Sequence, residues 1–465
     1  MRATVRLARW RARVDAALRS SRRLECRARG AGSEQGQHRS SCDSAVDRLG
    51  WTTGEGIHVK PHLLCIGGED HSFRIPFLLA LRRKGFRVSA AGSAASNPFL
   101  QAGIDFHPFD FARFVDPLAD WSAFRAISKL IADVRPTLVQ CFDTKLNILV
   151  PFAAGGLHGV KVVSTINGRG WLYSSQSPMA LSLRPIYRIL ERLASQWVAV
   201  TVFQNREDQA FFIRHRMIGR GGSLLIPGSG VDIATFDRAA VVGPSSAALR
   251  EALGLAGREI IVTVSRMTRQ KGIPTLLEAA AIVHRHRPGA RFLLVGPRES
   301  EGPFAVTEAE IERHAPYVMA LGRRSDVPSL LGIADLFAFP TEYHEGVPRA
   351  LLEAAVAGCP IVTTTMPGCT DVVRDGWNGL LVPPGDPRRM ADGILRQLDD
   401  RDAATKMAAR ASQRVRAEFN LDITVARYAA VYQNLVERSM KNPLPTLEEA
   451  LASVARSHDV AQFGD

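Results

Sequence analysis

The chain has 465 residues, 46% hydrophobic and 23% charged, a globular composition with room for a sizeable core and about two large domains. Its formal net charge of +13 is uneven: residues 1–50 hold 12 Arg, no Lys and 5 acidic residues, a net +7, so the body is only mildly basic. Six cysteines without Cys-x-x-Cys spacing argue against a disulfide scaffold or a zinc site and fit a reducing cytosol, and no apolar run reaches the ~18 residues needed to cross a bilayer.

Residues 1–56 differ from the rest. Arg2 to Arg29 is Arg-rich, and Ser, Gly and Gln follow. Leu7, Trp10, Val14 and Leu18 would share one face of a basic amphipathic helix, and an Arg-rich, acid-poor start also resembles a transit peptide. A disordered extension or an upstream start site explains the same composition. From His62 the pattern alternates. His62–Gly67, Phe86–Ala91, Thr137–Phe142, Val160–Thr165, Val198–Gln204 and Ser223–Pro227 read as strands. Phe73–Lys84, Phe124–Val134 and Arg184–Gln196 read as helices between them. After the Gly243–Ser246 break a second unit begins: strands at Glu259–Val264, Arg291–Val295, Tyr317–Leu321, Asp335–Phe339 and Pro360–Thr364, with helices at Pro274–Arg287, Val327–Ile333 and Pro348–Ala357. This is an α/β pattern: two doubly wound Rossmann-like domains, with ligands expected in the cleft between the carboxyl ends of their strands.

Two segments carry chemistry. Asp335–Gly358 reads strand, loop, helix, with Pro348 near the helix start and Gly358 past its end. Gly346 lets the backbone approach a ligand, and the helix start offers free N–H groups to phosphate. Glu353 stands among Leu351, Leu352, Ala354, Ala355 and Val356, where a carboxylate needs partners. Ribose hydroxyls would serve; so would a nearby Arg. In Glu259–Gly272, Arg266 and Lys271 follow a strand, where two cations suit a diphosphate or are ordinary surface charges.

Together these segments resemble the C-terminal domain of family 4 of the retaining glycosyltransferases. Glu345 to Glu353 matches the family's Glu-x7-Glu as EGVPRALLEAAVAGCP, and SRMTRQKG supplies the basic pair. LIPGSGVD at Leu225–Asp232 and PGCTDVVRDGWNGLLVPPGD at Pro367–Asp386 match further. The resemblance implies the GT-B fold, with an acceptor-binding domain over 57–235, a nucleotide-sugar-binding domain over 236–420, a helix at 421–440 packing back on the first domain, and a tail at 441–465. It implies that Arg266 and Lys271 hold the donor diphosphate and Glu353 the ribose. Glu345 would sit at the donor sugar, with Gly346, Val347, Pro348, Asn167, Gly168 and Arg323 completing the donor site. No metal or other cofactor is implied. The Asp-x-Asp at Asp400–Asp402 reads as a solvated turn. The expected mechanism is front-face displacement, in which the leaving diphosphate takes the acceptor proton.

FQNREDQAFF and LIPGSGVD look most like members that build capsule, O-antigen or other surface glycans on polyprenyl-diphosphate carriers at the inner face of the membrane. That resemblance implies a cytoplasmic, peripherally bound enzyme with a lipid-linked glycan acceptor. Arg184, Arg188 and Arg192 share one helix face beside the loop of Trp171 and Tyr173, a pairing that suits anionic headgroups or an ordinary solvated face. Many family members carry His where Asn167 stands. Asn cannot change charge near neutral pH, which admits a 6-deoxy or N-acetylated donor sugar as well as an ordinary hexose. Two other readings stay open: a nucleotide-sugar epimerase of the same fold, and a non-catalytic basic protein binding membrane or nucleic acid. No nucleic-acid motif, G-x-G-x-x-G after a strand, or P-loop is present, so no nucleic-acid partner is expected.

Overall fold

The computed structural model describes residues 60–112, 116–155, 157, 159–298 and 304–441. The proposed amphipathic face at Leu7–Leu18 and the tail beyond 441 lie outside them. Seven strands form the first sheet: β1 His62–Gly67, β2 Arg87–Gly92, β3 Asp105–Pro108, β4 Leu138–Cys141, β5 Lys161–Ile166, β6 Val198–Phe203 and β7 Ser223–Leu225. Their spatial order is β3-β2-β1-β4-β5-β6-β7, and each pairing is parallel. Six more form the second: β8 Glu259–Val264, β9 Ala290–Val295, β10 Val318–Gly322, β11 Leu336–Phe339, β12 Ile361–Thr364 and β13 Leu380–Val382. They run β10-β9-β8-β11-β12-β13, again parallel.

The strands are buried apolar runs because helices cover both faces. In the second sheet, Ile260, Val262, Leu293 and Phe337 pack to one side, and Ile261, Phe292, Leu294 and Ala338 to the other. Most strand readings agree with the structure to within a residue or two. The exceptions are β3 and β13, short edge strands that a scan for apolar runs passes over.

The helices that matter for the site are α1 (Ile75–Arg83), the single turn α2 (Gly170–Ser174), α3 (Pro178–Ala194), α4 (Arg206–Arg214), α5 (Arg349–Val356) and α6 (Leu421–Lys441). The start of α3 corrects the sequence reading, which treated Trp171–Pro185 as loop. Ser177 caps α3 by accepting the Ala180 N–H at 3.2 Å, and Pro178 fits its first turn. The helix therefore begins six residues before the Arg184 start read from the sequence, and Pro185 lies well inside it. At the other end of the chain, α6 crosses to the first sheet. Tyr428 packs edge-on against Phe77 and its hydroxyl meets Thr165 Oγ1 at 3.1 Å, while the Tyr432 hydroxyl donates to Gln140 at 2.8 Å. These buried hydroxyls fix the crossing as well as filling it. Asp400 caps the helix Arg401–Glu418 by accepting the Ala403 N–H.

Candidate active site

The loop between β11 and α5 faces the carboxyl ends of the first sheet. It is held there by a dense set of polar contacts. Gly346 donates its N–H to the Asn167 carbonyl at 2.8 Å, and Val347 donates to Gln204 Oε1 at 3.1 Å. Asn205 donates to the Glu345 carbonyl at 3.1 Å, and the His344 N–H reaches Ser174 Oγ at 2.8 Å. Two glycines make the approach possible. Gly168 has φ +109°, and a Cβ there would lie 2.2 Å from the His344 carbonyl oxygen. A Cβ on Gly346 would lie 2.1 Å from Gln204 Oε1.

Within this clasp, Lys271 and Glu345 meet. Thr268 caps the short turn Arg269–Lys271 after β8, which sends Lys271 inward. Its Nζ is 2.7 Å from Glu345 Oε1 and 5.2 Å from the Tyr343 ring centre. Thr341 Oγ1 donates to the same carboxylate at 3.0 Å. Arg266 lies half-buried in the loop after β8, and its charge acts on the Tyr343 phenol. Burial pushes that phenol up to about 12, so it stays neutral and can donate. Two cations on the loop after β8, one of them paired with the Glu345 carboxylate, can neutralise a diphosphate once it displaces that contact.

Glu353 takes the second of its two sequence readings. Its Oε1 lies 2.7 Å from Arg349 Nε, one helical turn back. Arg349 also reaches across to the first domain, with its guanidinium 5.7 Å from the Phe73 ring centre. A cavity of about 170 Å³ opens beside it, bordered by Phe73, Arg74, Phe142, Ser229 and Tyr428. Of the backbone N–H groups from Gly346 onward, the first two are already bonded within the protein. The N–H groups of Gly346 and Val347 are taken by Asn167 and Gln204, and Pro348, which caps α5, has none. The free amides at the start of α5 among the described residues are those of Arg349 and Ala350.

Asn167 is likewise spoken for. Its Nδ2 donates to the Phe142 carbonyl at 3.0 Å and its Oδ1 accepts from Gln204 at 2.8 Å, so its side chain braces the cleft instead of reaching into it. Arg323 is exposed just past β10, at the carboxyl edge of the second sheet, without a side-chain partner among the described residues.

The acceptor-side readings change most. Arg184 and Arg188 turn inward. Arg184 donates to the carbonyls of Leu172 at 3.0 Å and Ser175 at 2.9 Å, and Arg188 donates to the buried Tyr173 hydroxyl at 3.2 Å. They staple the loop onto α3 and leave only Arg192 of the three exposed. Trp171 is half-buried, 6.1 Å from Phe304. Helical spacing showed that the three arginines share a face but not that the face points inward.

Sequence reasoning missed several residues at the cleft. Asp143 follows β4 and accepts the Gly68 N–H at 2.7 Å. Burial raises its pKa, opposed by Arg74. Its place at the carboxyl end of a central strand was the available signal. Arg169 binds both Glu207 and Asp208. Burial lifts Asp208 to about 6 against the pull of Asn205 and Arg169. Burial lowers His344 to about 4, helped by Arg169 and Arg184, so it is neutral at pH 7.

Comparisons with known proteins show the family and the fold. Residues 258–400 match the family model described as glycosyl transferases group 1, and 77–222 match the glycosyl transferase 4-like domain, together well over half of the chain. The chain is 24% identical, over 80% of its length and 97% of the relative's, to the N,N'-diacetylbacillosaminyl-diphospho-undecaprenol alpha-1,3-N-acetylgalactosaminyltransferase of Campylobacter jejuni. It is 25% identical, over 70% of its length and 82% of the relative's, to the UDP-Gal:alpha-D-GlcNAc-diphosphoundecaprenol alpha-1,3-galactosyltransferase of Escherichia coli. Among solved structures it resembles Anabaena Alr3699/HepE in complex with UDP, with TM-score 0.65 and 21% identity over 80% of this chain and all of that one. Sucrose-phosphate synthase from Thermosynechococcus elongatus gives TM-score 0.68 at 20% identity, covering 82% and 100%. The Campylobacter and Escherichia relatives are named as transferases, which does not favour the epimerase reading.

Proposed function

The chain belongs to the family 4 glycosyltransferases and has their GT-B fold, and we propose that it moves a hexose, or an N-acetylated or 6-deoxy sugar, from a nucleotide diphosphate to a polyprenyl-diphosphate-linked glycan with retention of configuration. The observation that carries the donor half is the buried meeting of Lys271 and Glu345 in the cleft, with Arg266 on the same loop. The donor diphosphate takes Lys271 and Arg266 and the free amides at the start of α5. Glu345 is released toward the sugar, and Glu353 exchanges Arg349 for the ribose hydroxyls. The acceptor hydroxyl attacks from the face the diphosphate leaves, and the departing oxygen takes its proton. Charge neutralisation by side chains makes a metal unnecessary, so turnover should persist in excess EDTA.

The acceptor half draws support from the two bacterial relatives, whose names specify undecaprenyl-diphosphate-linked substrates. No helix of the described residues is long and apolar enough to cross a membrane. We place the enzyme at the cytoplasmic face of the membrane as a peripheral protein in surface-polysaccharide synthesis. Incubation with a panel of nucleotide sugars and a polyprenyl-diphosphate glycan tests the reading. Nucleotide diphosphate should be released only when donor and lipid-linked acceptor are both present. Release that ignores the acceptor, or a free epimerised sugar, would sink it.

A further inference from the structure

We propose that the outward face of α3 docks this enzyme on an anionic lipid bilayer by inserting its apolar side chains at the interface. This is the side opposite the inward-turned Arg184 and Arg188. Met179, Ile186, Ile189, Leu190 and Leu193, with Trp197 just past the helix end, are between 39% and 60% exposed. At 100° per residue the helical ones fall within an arc of roughly 100°, an apolar stripe about four turns long that only Ser182 interrupts. Such a stripe on a soluble surface marks a contact with something apolar.

Charge selects the occupant. From Pro178 to Gly222 the acidic residues are Glu191, Glu207 and Asp208. Glu191 and Asp208 are buried, and Glu207 is bound to Arg169. Arg192, Arg214, Arg216 and Arg220 are exposed. The backbone at Gly219 and Gly221 passes directly against the carbonyls of Ser195 and Ala199, which sets Arg220 at the Trp197 end of the stripe. Apolar side chains with Arg192 on the same helix, Arg220 at one end and a Trp at the edge match the boundary between acyl chains and anionic headgroups. The position also suits the chemistry. Ser174, which binds the His344 N–H in the cleft, lies three residues before the cap of α3. A bilayer against α3 therefore lies one helix away from the sugar-transfer site.

The inference takes its biological sense from the lipid-linked acceptor proposed above, but its test does not depend on it. The full chain is mixed with phosphatidylcholine–phosphatidylglycerol vesicles in ~0.5 M salt, which screens contributions from the Arg-rich N-terminus. Ile189→Glu with Leu193→Glu should lower partitioning at least ~10-fold, while activity on a soluble short-chain acceptor analogue stays within about 2-fold. Quenching of Trp emission by brominated lipid should fall in Trp197→Phe, a variant that keeps the core intact. Vesicle binding by the double variant equal to that of the native chain would overturn the proposal. So would quenching unaffected by Trp197→Phe, or a native dimer that the double variant splits, which would make a second copy the occupant. If vesicles bind as expected but no sugar reaches a lipid-linked acceptor, the proposed function fails and the docking face stands.

Discussion

Lys271→Ala removes the cation at the centre of the cleft, and its two consequences can be separated. Lys271 and Glu345 sit 2.7 Å apart with side chains only 10% and 16% exposed. At an effective dielectric near 20 their attraction is about 6 kcal/mol before desolvation is subtracted. Alanine strips the Glu345 carboxylate of its paired cation and leaves it the Thr341 hydroxyl, and a buried charge that loses its partner costs about 3–5 kcal/mol of folding stability. Catalysis loses a preorganised donor to the leaving diphosphate, worth about 10²–10³ in rate. Thermal unfolding and single-turnover release of nucleotide diphosphate measure the two effects. Lys271→Ala with Glu345→Ala should recover most of the stability and none of the rate, because the orphan charge is gone but the diphosphate still lacks its cation. Full turnover in Lys271→Ala, or recovery of turnover in the double variant, would show that the pair is only structural and that the diphosphate is held elsewhere.

Gly168→Ala should cost about 1–3 kcal/mol and lower turnover sharply, since it forces an unfavourable φ and drives a methyl into the His344 carbonyl; unchanged melting and rate would refute the tight approach. Asn167→His, which restores the residue common in the family, should reduce activity, because imidazole cannot both donate to Phe142 and accept from Gln204 in the geometry the amide uses. A gain in rate would instead place residue 167 at the donor sugar. Glu191, raised by burial to about 8, holds its proton in the folded state while the unfolded carboxyl gives it up near 4.5. Its contribution is therefore fully present below about pH 4.5 and is lost as pH rises through 8, by up to about 5 kcal/mol. Glu191→Gln should flatten that fall in melting curves recorded from pH 5 to pH 9, and an unchanged pH dependence would count against a protonated Glu191.

The second domain was legible because its strands carry buried apolar runs such as Ile260–Val262 and Phe292–Val295, and because Glu345, Glu353, Arg266 and Lys271 fall in a recognisable pattern. Edge strands of three or four residues carry too little apolar signal, so β3 and β13 escaped. The helix read from Arg184 in fact starts at Pro178, because Ser177 caps it and Pro178 fits its first turn. Partner choice was harder still. Which of two readings Glu353 takes depends on where Arg349 sits one turn away, and whether Asn167 faces ligand or protein depends on Gln204, 37 residues on. Periodicity carries no information about contacts of that kind. It also hid the orientation of α3, since a helix with one basic and one apolar face predicts equally well that either side is buried.

The occupied amides change what the donor must accomplish. Gly346, Val347 and the Glu345 carbonyl bind the first domain through Asn167, Gln204 and Asn205, so the motif loop belongs mechanically to both domains. Arg349 adds a second link, holding Glu353 with one part of its guanidinium while lying against Phe73 across the cleft. A nucleotide that takes Glu353 for its ribose frees Arg349 from its carboxylate, and a diphosphate that takes Lys271 frees Glu345. Each exchange replaces an internal ion pair with a contact to the ligand, so the net gain per contact is smaller than the contact itself. Under the proposed function, discrimination among donors rests on how completely a given sugar satisfies the released Glu345 carboxylate. That favours a donor with a hydroxyl or amide N–H directed at Glu345 over one that leaves this carboxylate unpaired.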